Sequence, residues 1–356
     1  MTMLKILAGT SAYQHIQKNG LSPHDISAIF GASGAAKWLT IYGLDKAIFS
    51  HWLTASDQSI DLFGTSVGAF KLAAAAQSNP AYAMTKLAKA YINQRYEGKN
   101  IANQVAVETN KILDTFLDEQ SVAEILTNSR FNFHCASVRC LGLMANTNSS
   151  IQKIAMVKAF LLSLLGRDFH RNTFERTIFY SGSPVNHFHG YDQINTHRIA
   201  FTTDNLRRAI LSSGSIPVIM PGISNIEGAP DGVYRDGGLL DYHAIPSNVC
   251  DISKGLVLYP HFYTYLIEGW FDKFSPWRKV DSTRLDNTVL VGPSEHFVRA
   301  LPGGRIPDRQ DFSRFKSNDQ ERIRRWTIAK EKSVELGDEF IQLAQSGDIA
   351  ARVERL

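Results

Sequence analysis

Two short stretches of the chain carry residue types able to make and break an ester bond. In "FGTSVGAF", residues 63–70, Ser66 stands in the frame Gly64-x-Ser66-x-Gly68, between an apolar run and an alanine-rich, helix-forming segment. A nucleophilic serine needs that setting. The strand delivers it, the glycines let its strained backbone turn and let the helix pass close by, and the helix N-terminus adds N–H groups and a positive dipole end. A serine in an ordinary small-residue turn has the same appearance. In "RDGGLLD", residues 235–241, Asp236 precedes Gly237 and Gly238, which let a loop turn tightly and approach such an elbow. A carboxylate held within hydrogen-bond reach and partly desolvated can take the serine proton directly. The order Ser, acid, His is also open, with Asp236 followed by His243, His261 or His296. Against it, the stretch before Ser66 reads as holding one or two strands, short for a fold whose nucleophile follows several, and none of these histidines stands in a recognisable loop context.

An acyl-transfer serine also needs donors aimed at the developing oxyanion. "FGASGAAKW", residues 30–38, is a second strand-to-helix turn, small-residue throughout its turn, and by itself it reads equally as a plain connection. Its Ser33 lacks the Gly-x-Ser-x-Gly frame. His187 and His189 in "NHFHGYD" fall on one face of an extended segment, but no third ligand follows at a metal-binding spacing, so solvated loop histidines are the simpler reading. Residues 64–71 lack the Gly-Lys-[Ser/Thr] ending of a phosphate loop, and there is no dinucleotide fingerprint. Asp231, in the other Asp-Gly pair, reads as a turn former. No cofactor and no metal is expected.

These residues need a frame to hold them. "DISAIFGASG" reads as a buried strand ending at Gly31, "AKWLTIYGLDKAIFSHWL" as a helix, "SIDLFG" as a strand and "VGAFKLAAAAQ" as a helix. Strand, turn, helix repeated in this way predicts an α/β fold with a mostly parallel sheet. Residues 81–170 read as mainly helical around a strand at "FNFHCASVR", and strands return at "RTIFYSG", "HRIAFTT" and "SKGLVLYP". "DNLRRAILSSG" reads as a helix capped by Asp204, and "GAPDGVYRDGGLLD" as hairpin-like. A charged helix from about residue 318 carries Trp326, Ala329, Leu336, Phe340 and Leu343 on one face and is expected to dock by that stripe. No stretch reads as a linker, so residues 1–356 are expected to form one domain, with a core at about 25–260 and an extension at 261–356 packed on it.

In this order, the turn at 30–38, Gly-x-Ser-x-Gly and a late Asp-Gly-Gly, the chain resembles the patatin-like phospholipase family. "FGTSVGAF" is similar to that family's elbow and "RDGGLLD" to its Asp-Gly-Gly loop, while "AILSSGSIPVIMP" looks like its small-residue helix end with a following proline. The resemblance spans roughly residues 25–260. It implies a three-layer α/β/α fold and a Ser–Asp dyad of Ser66 and Asp236, with a lipid or lysolipid ester as substrate. The family's Gly-Gly-Gly-x-[Arg/Lys] loop maps onto Ser33-Gly34-Ala35-Ala36-Lys37, which implies an oxyanion hole from the N–H groups of Gly34 and Ala35. A register starting at Gly31 is the alternative. The family's Asn-x-Pro after Asp-Gly-Gly is replaced here by "LLDYHAIP", which leaves the bracing of that loop open. A Ser–His–Asp esterase, an acyltransferase, or a lipid-binding protein that keeps the elbow as scaffold are the competing readings.

Composition narrows the rest. A net charge of +4 over 356 residues is too weak and dispersed for a nucleic-acid partner, yet it would not oppose an anionic lipid surface. The three cysteines, Cys135, Cys140 and Cys250, suggest a reducing compartment rather than a disulfide framework. The start carries no signal-like apolar run, and "IAMVKAFLLSLLG" is interrupted by Lys158 and too short to span a bilayer, so a cytoplasmic protein is expected. That apolar run could form a lid, an acyl-chain wall or core. The aromatic segment 262–277, with Lys273, Arg278 and Lys279 nearby, could rest transiently on a membrane surface or simply pack on the body.

Overall fold

The computed structural model describes residues 2–96, 101–182, 192–245, 255–275, 277–316 and 318–356. His187, His189 and Cys250 lie outside them. Strands β1 (Leu4–Ala8), β2 (Ile26–Gly31), β3 (Ile60–Thr65), β4 (Phe131–Cys140), β5 (Phe174–Tyr180) and β6 (Thr196–Ala200) are followed by a short hairpin, β7 (Ile223–Ser224) and β8 (Val233–Asp236). Strands β9 (Leu256–Pro260), β10 (Thr288–Pro293) and β11 (Val353–Arg355) complete one mostly parallel sheet in the order β11-β1-β10-β9-β2-β3-β4-β5-β6, with β8 on β4 and β7 on β8. Its central strands bury nearly every residue because helices cover both faces, giving an α/β/α arrangement.

The helices are α1 (Thr10–Asn19), α2 (Tyr42–Ala47), α3 (Val67–Ala75), α4 (Pro80–Ile92), α5 (Ile101–Phe116), α6 (Glu119–Thr127), α7 (Ser149–Leu165) and α8 (Leu206–Ser213). Then come α9 (Glu295–Arg299), α10 (Asp311–Arg314), α11 (Asp319–Lys332), α12 (Val334–Ser346) and α13 (Ile349–Arg352). All nine residues of α3 are buried, and its alanines let the helix run between the sheet and α4.

Several local expectations change. The helix read over residues 36–53 is a 3₁₀ stretch (Ala35–Ile41), α2, then a π turn and a 3₁₀ turn. The C-terminal helix is two, α11 and α12. They break at Ser333, where the α2 backbone arrives: Gly43 donates its N–H to Ser333 Oγ at 2.8 Å, and a Cβ on Gly43 would lie 2.4 Å from the Ser333 carbonyl oxygen. Trp326, Ala329, Leu336 and Phe340 are buried as the stripe required. The N-cap of α8 is the buried Asn205, not the exposed Asp204, because Asn205 ties the entering loop through Thr202 N–H and the Ala200 carbonyl. The C-terminal region also returns β10 and β11 to the sheet, which the sequence reading did not contain.

Candidate active site

Register along β4 explains how two residues far apart in sequence meet. On one edge of β4, the parallel strand β3 runs until Thr65 stands opposite Ala136. Antiparallel β8 takes over that same edge and ends with Asp236 opposite Ser137. Ser66, one residue beyond β3, therefore arrives beside the end of β8, and its Oγ donates to Asp236 Oδ2 at 2.9 Å. The turn is tight. Ser66 has φ +53° and ψ −129°, a left-handed strained conformation whose cost is on the order of 1–3 kcal/mol. The hydroxyl of Ser213 holds it there, accepting the Ser66 N–H at 2.9 Å while donating to the Ala136 carbonyl at 2.6 Å. Gly64 and Gly68 press together behind the serine: a Cβ on Gly64 would fall 2.5 Å from Gly68, and one on Gly68 would fall 2.0 Å from the Gly31 carbonyl oxygen.

The other carboxylate oxygen of Asp236, Oδ1, accepts the Gly238 N–H at 2.7 Å. Gly237 lies flat on β4, with no room for a side chain between the Ala136 carbonyl and Thr65. Burial pushes the Asp236 carboxyl up to about 6. The Gly238 and Ser66 hydrogen bonds, and then the charges of Lys273 and Arg309, keep it from rising further. A buried carboxylate with that affinity for protons is a competent acceptor near neutral pH.

The turn after β2 joins the same place. Gly31 ends β2, paired with Gly64; Ala32 and Ser33 follow outside the strand, and Gly34 and Ala35 open the 3₁₀ stretch. Ser33 donates its N–H to the Tyr242 carbonyl at 2.9 Å, and its hydroxyl meets that of Thr65 at 2.8 Å, one residue before Ser66. Gly34 faces the ring of Phe262, 2.5 Å from where a Cβ would sit. Ala35 has φ +52°, the left-handed region where glycine would be unstrained and alanine costs about 1 kcal/mol. Among the described residues no acceptor is bonded to the N–H of Gly34 or Ala35. A buried cluster locks the two turns together: Lys71 of α3 binds both oxygens of Asp45 at 2.9 Å, and Trp38 Nε1 donates to the same carboxylate.

The replaced Asn-x-Pro now has a physical account. In "GLLDYH", Asp241 takes two hydrogen bonds from the guanidinium of Arg176, at 2.7 and 3.0 Å, while its own carbonyl accepts from Thr65 Oγ1 at 2.8 Å. The Leu240 carbonyl accepts from Arg167. Arg176 is shared with Asp192, whose carboxyl it holds well below the usual range against the opposing effect of burial. An ion-pair frame thus braces the loop.

The candidate histidines are elsewhere engaged. His243 and His261 are fully buried and packed on each other, ring centroids 4.3 Å apart, each accepting a backbone N–H, from Ile267 and Tyr263. Burial drives both far below the usual imidazole range. His296 is exposed on α9. Cys135 and Cys140 are buried free thiols. Among the described residues no cluster of three or more His, Cys, Asp or Glu could hold a metal, and no helix is long and apolar enough to cross a membrane.

Two cations lie beside the site: Lys37, which the loop motif marked, and Lys273, which the sequence placed only in the aromatic segment. Lys273 places its ammonium 3.4 Å from the ring centroid of Tyr242, and Lys37 reaches the Tyr242 hydroxyl at 3.5 Å. Burial lowers both, Lys273 to about 7, with Lys37 and Arg309 pushing it further down.

No protein-family model matches the chain, and no curated protein matches it either. Among solved structures it is similar to VipD from Legionella pneumophila (TM-score 0.36, 11% identity, 88% of this chain and 67% of that one). It is also similar to human GIVD cytosolic phospholipase A2 (TM-score 0.31, 10% identity, 96% of this chain and 62% of that one). The chain thus spans about two thirds of the one and less of the other. Overlaps this loose leave the chemistry to be judged from this chain's own residues.

Proposed function

We propose that the protein is a patatin-like serine acyl hydrolase that cleaves lipid or lysolipid carboxylic esters with a Ser66–Asp236 dyad. The observation that carries this reading is the 2.9 Å hydrogen bond from Ser66 Oγ to Asp236 Oδ2, on a strained strand-to-helix elbow where, among the described residues, no histidine is hydrogen-bonded to either side chain. Ser66 Oγ attacks the ester carbonyl carbon as its proton passes to Asp236 Oδ2. The N–H groups of Gly34 and Ala35 take the charge on the carbonyl oxygen. On collapse the C–O bond breaks, the alcohol leaves with the proton from Asp236, and the acyl group stays on Ser66. Water, deprotonated by Asp236, then releases the fatty acid and restores the serine. Lys37 supports the turn that carries the donors, and Gly64, Gly68, Gly237 and Gly238 allow the close backbone approach. That substrate class calls for transient contact with a membrane surface and needs no cofactor.

The test is covalent labelling by a fluorophosphonate probe. The wild-type chain labels, Ser66→Ala does not, and Asp236→Asn labels far more slowly. A chain that never labels, or labels equally as Ser66→Ala, overturns the reading.

A further inference from the structure

Helix α7 is built inside out. An ordinary surface helix turns its large apolar residues to the core and its polar ones to water. Here the buried stripe is Gln152, Ala155, Ala159 and Ser163, while Ile154, Val157, Leu161 and Leu165 are each more than half exposed. The apolar surface does not stop at the helix. Phe160 meets Phe274 edge-on at 5.5 Å, and Phe274 and Trp277 are themselves more than half exposed. Most of the large apolar side chains that the described residues expose therefore gather on one face, too large a patch to be incidental.

We infer that this face, α7 with Phe274 and Trp277, adsorbs to an anionic lipid bilayer. The charge pattern chooses the occupant. Lys153 and Lys158 on the helix and Lys279 beside Trp277 are exposed, and residues 149–166 contain no acid. The first acid beyond, Asp168, is engaged with the Gln193 N–H. Aliphatic and aromatic side chains between lysines suit a bilayer interface, where the former enter the acyl boundary and the latter meet lipid phosphates. A second copy of this chain fits worse, because a two-fold contact through the same face would set its lysines against their own counterparts. The face also adjoins the candidate site. The turn that exposes Phe274 carries Lys273 inward onto Tyr242, whose carbonyl holds Ser33 beside the elbow. That orientation of the dyad toward the bilayer rests on the proposed hydrolase; the adsorption itself does not.

The experiment uses full-length Ser66→Ala protein, so that vesicles stay intact, in co-sedimentation with phosphatidylcholine vesicles made with or without phosphatidylglycerol. Binding is expected to the anionic vesicles and to be much weaker to the neutral ones. Adding Val157→Asp and Leu161→Asp should weaken it about tenfold or more. Lys153→Gln and Lys158→Gln should each cost about fivefold, and only on anionic vesicles. Trp277 emission should shift to the blue on binding, and Trp277→Phe should remove that shift. All these side chains are exposed, so thermal midpoints should stay close to the parent. Absence of vesicle binding, binding untouched by the aspartates, or a solution dimer that these substitutions dissociate would each overturn the inference. Hydrolysis of a water-soluble short-chain ester by the Ser66-containing chain reports on the dyad separately, so failure of one reading is distinguishable from failure of the other.

Discussion

Asp236 and Asp241 lie on one loop, five residues apart, and both are largely buried, yet their surroundings are opposite. Asp241 faces the fixed guanidinium of Arg176 in a two-bond fork, inside a network that continues through Asp192 and Arg167. Asp236 has a serine hydroxyl on one oxygen and a backbone N–H on the other, with Lys273 and Arg309 felt only at a distance. A carboxylate held in a guanidinium fork by two charge-assisted bonds is fixed in place. One that is buried with only neutral hydrogen bonds holds its proton more tightly than usual. In the proposed mechanism the difference separates a strut from a base: Asp241 holds the loop while Asp236 would be free to exchange its proton.

The widest gap between the two should be seen in activity. Ser66→Ala and Asp236→Asn are expected to lower hydrolysis of a soluble ester about a thousandfold or more, because members of the proposed dyad would act as a unit. Asp236→Asn should nonetheless fold well. The amide oxygen can keep the Gly238 N–H while its nitrogen donates to Ser66 Oγ. Asp241→Asn should behave in the reverse sense, keeping chemistry in the folded fraction while lowering the thermal midpoint. A stable, inactive Asp241→Asn would dissolve the distinction.

Arg176→Met sharpens the strut side. It leaves Asp241 and Asp192 buried with only part of their compensation, so a loss of about 3–5 kcal/mol is expected. Replacing Asp241 by leucine in the same chain should recover some of it, since removing both charges costs less than stranding one. Denaturant midpoints of the single and double variants measure this. No recovery would mean that the pair does more than brace.

Much of this was legible in the sequence where it is local. The elbow is a strand, a turn and a helix within about twenty residues, and glycine spacing marks it. The Asp-Gly-Gly loop is equally local. The strut was not: Arg176 and Asp241 are far apart in the chain, and nothing in "RTIFYSG" says which carboxylate its arginine meets. Strands β1, β10 and β11 were missed because their pairing joins the two ends of the chain, and β11 has three residues. Ala35 shows a subtler limit. Its substitution for glycine could be seen, but the positive φ that makes the alanine strained is a property of the folded turn. The inversion of α7 was beyond reach for the same reason, since an apolar run reads alike whichever side faces water.

The pH dependence of stability tests the base side with a smaller effect. The folded carboxyl of Asp236 titrates near 6, above its ordinary value. As pH rises between those values the unfolded chain releases the proton that the folded chain retains, so stability falls; above about 6 the penalty is complete. Its size at pH 8 is on the order of 2–3 kcal/mol. Asp236→Asn should therefore raise the thermal midpoint at pH 8, and its advantage should shrink toward pH 4.5. Equal midpoints at both pH values would remove the argument that burial holds this carboxylate high.

The smallest effect comes from Lys273. The proposed hydrolysis would require Asp236 ionised, so the rate should climb as pH rises through about 6. Lys273 titrates near 7 and is mostly charged across that limb, where its field favours the carboxylate. Lys273→Gln removes the field and should move the acid limb upward by a few tenths of a pH unit, the amount expected of a partly screened charge. Lys111→Gln, on the exposed side of α5, should leave the limb where it is. The same profile measured on Arg176→Met should lose amplitude without shifting, because Arg176 bonds Asp241 and Asp192 rather than Asp236 and keeps one charge throughout this range. A limb that moves with Arg176 and not with Lys273 would place the pH-setting charge in the brace and erase the contrast between the two aspartates.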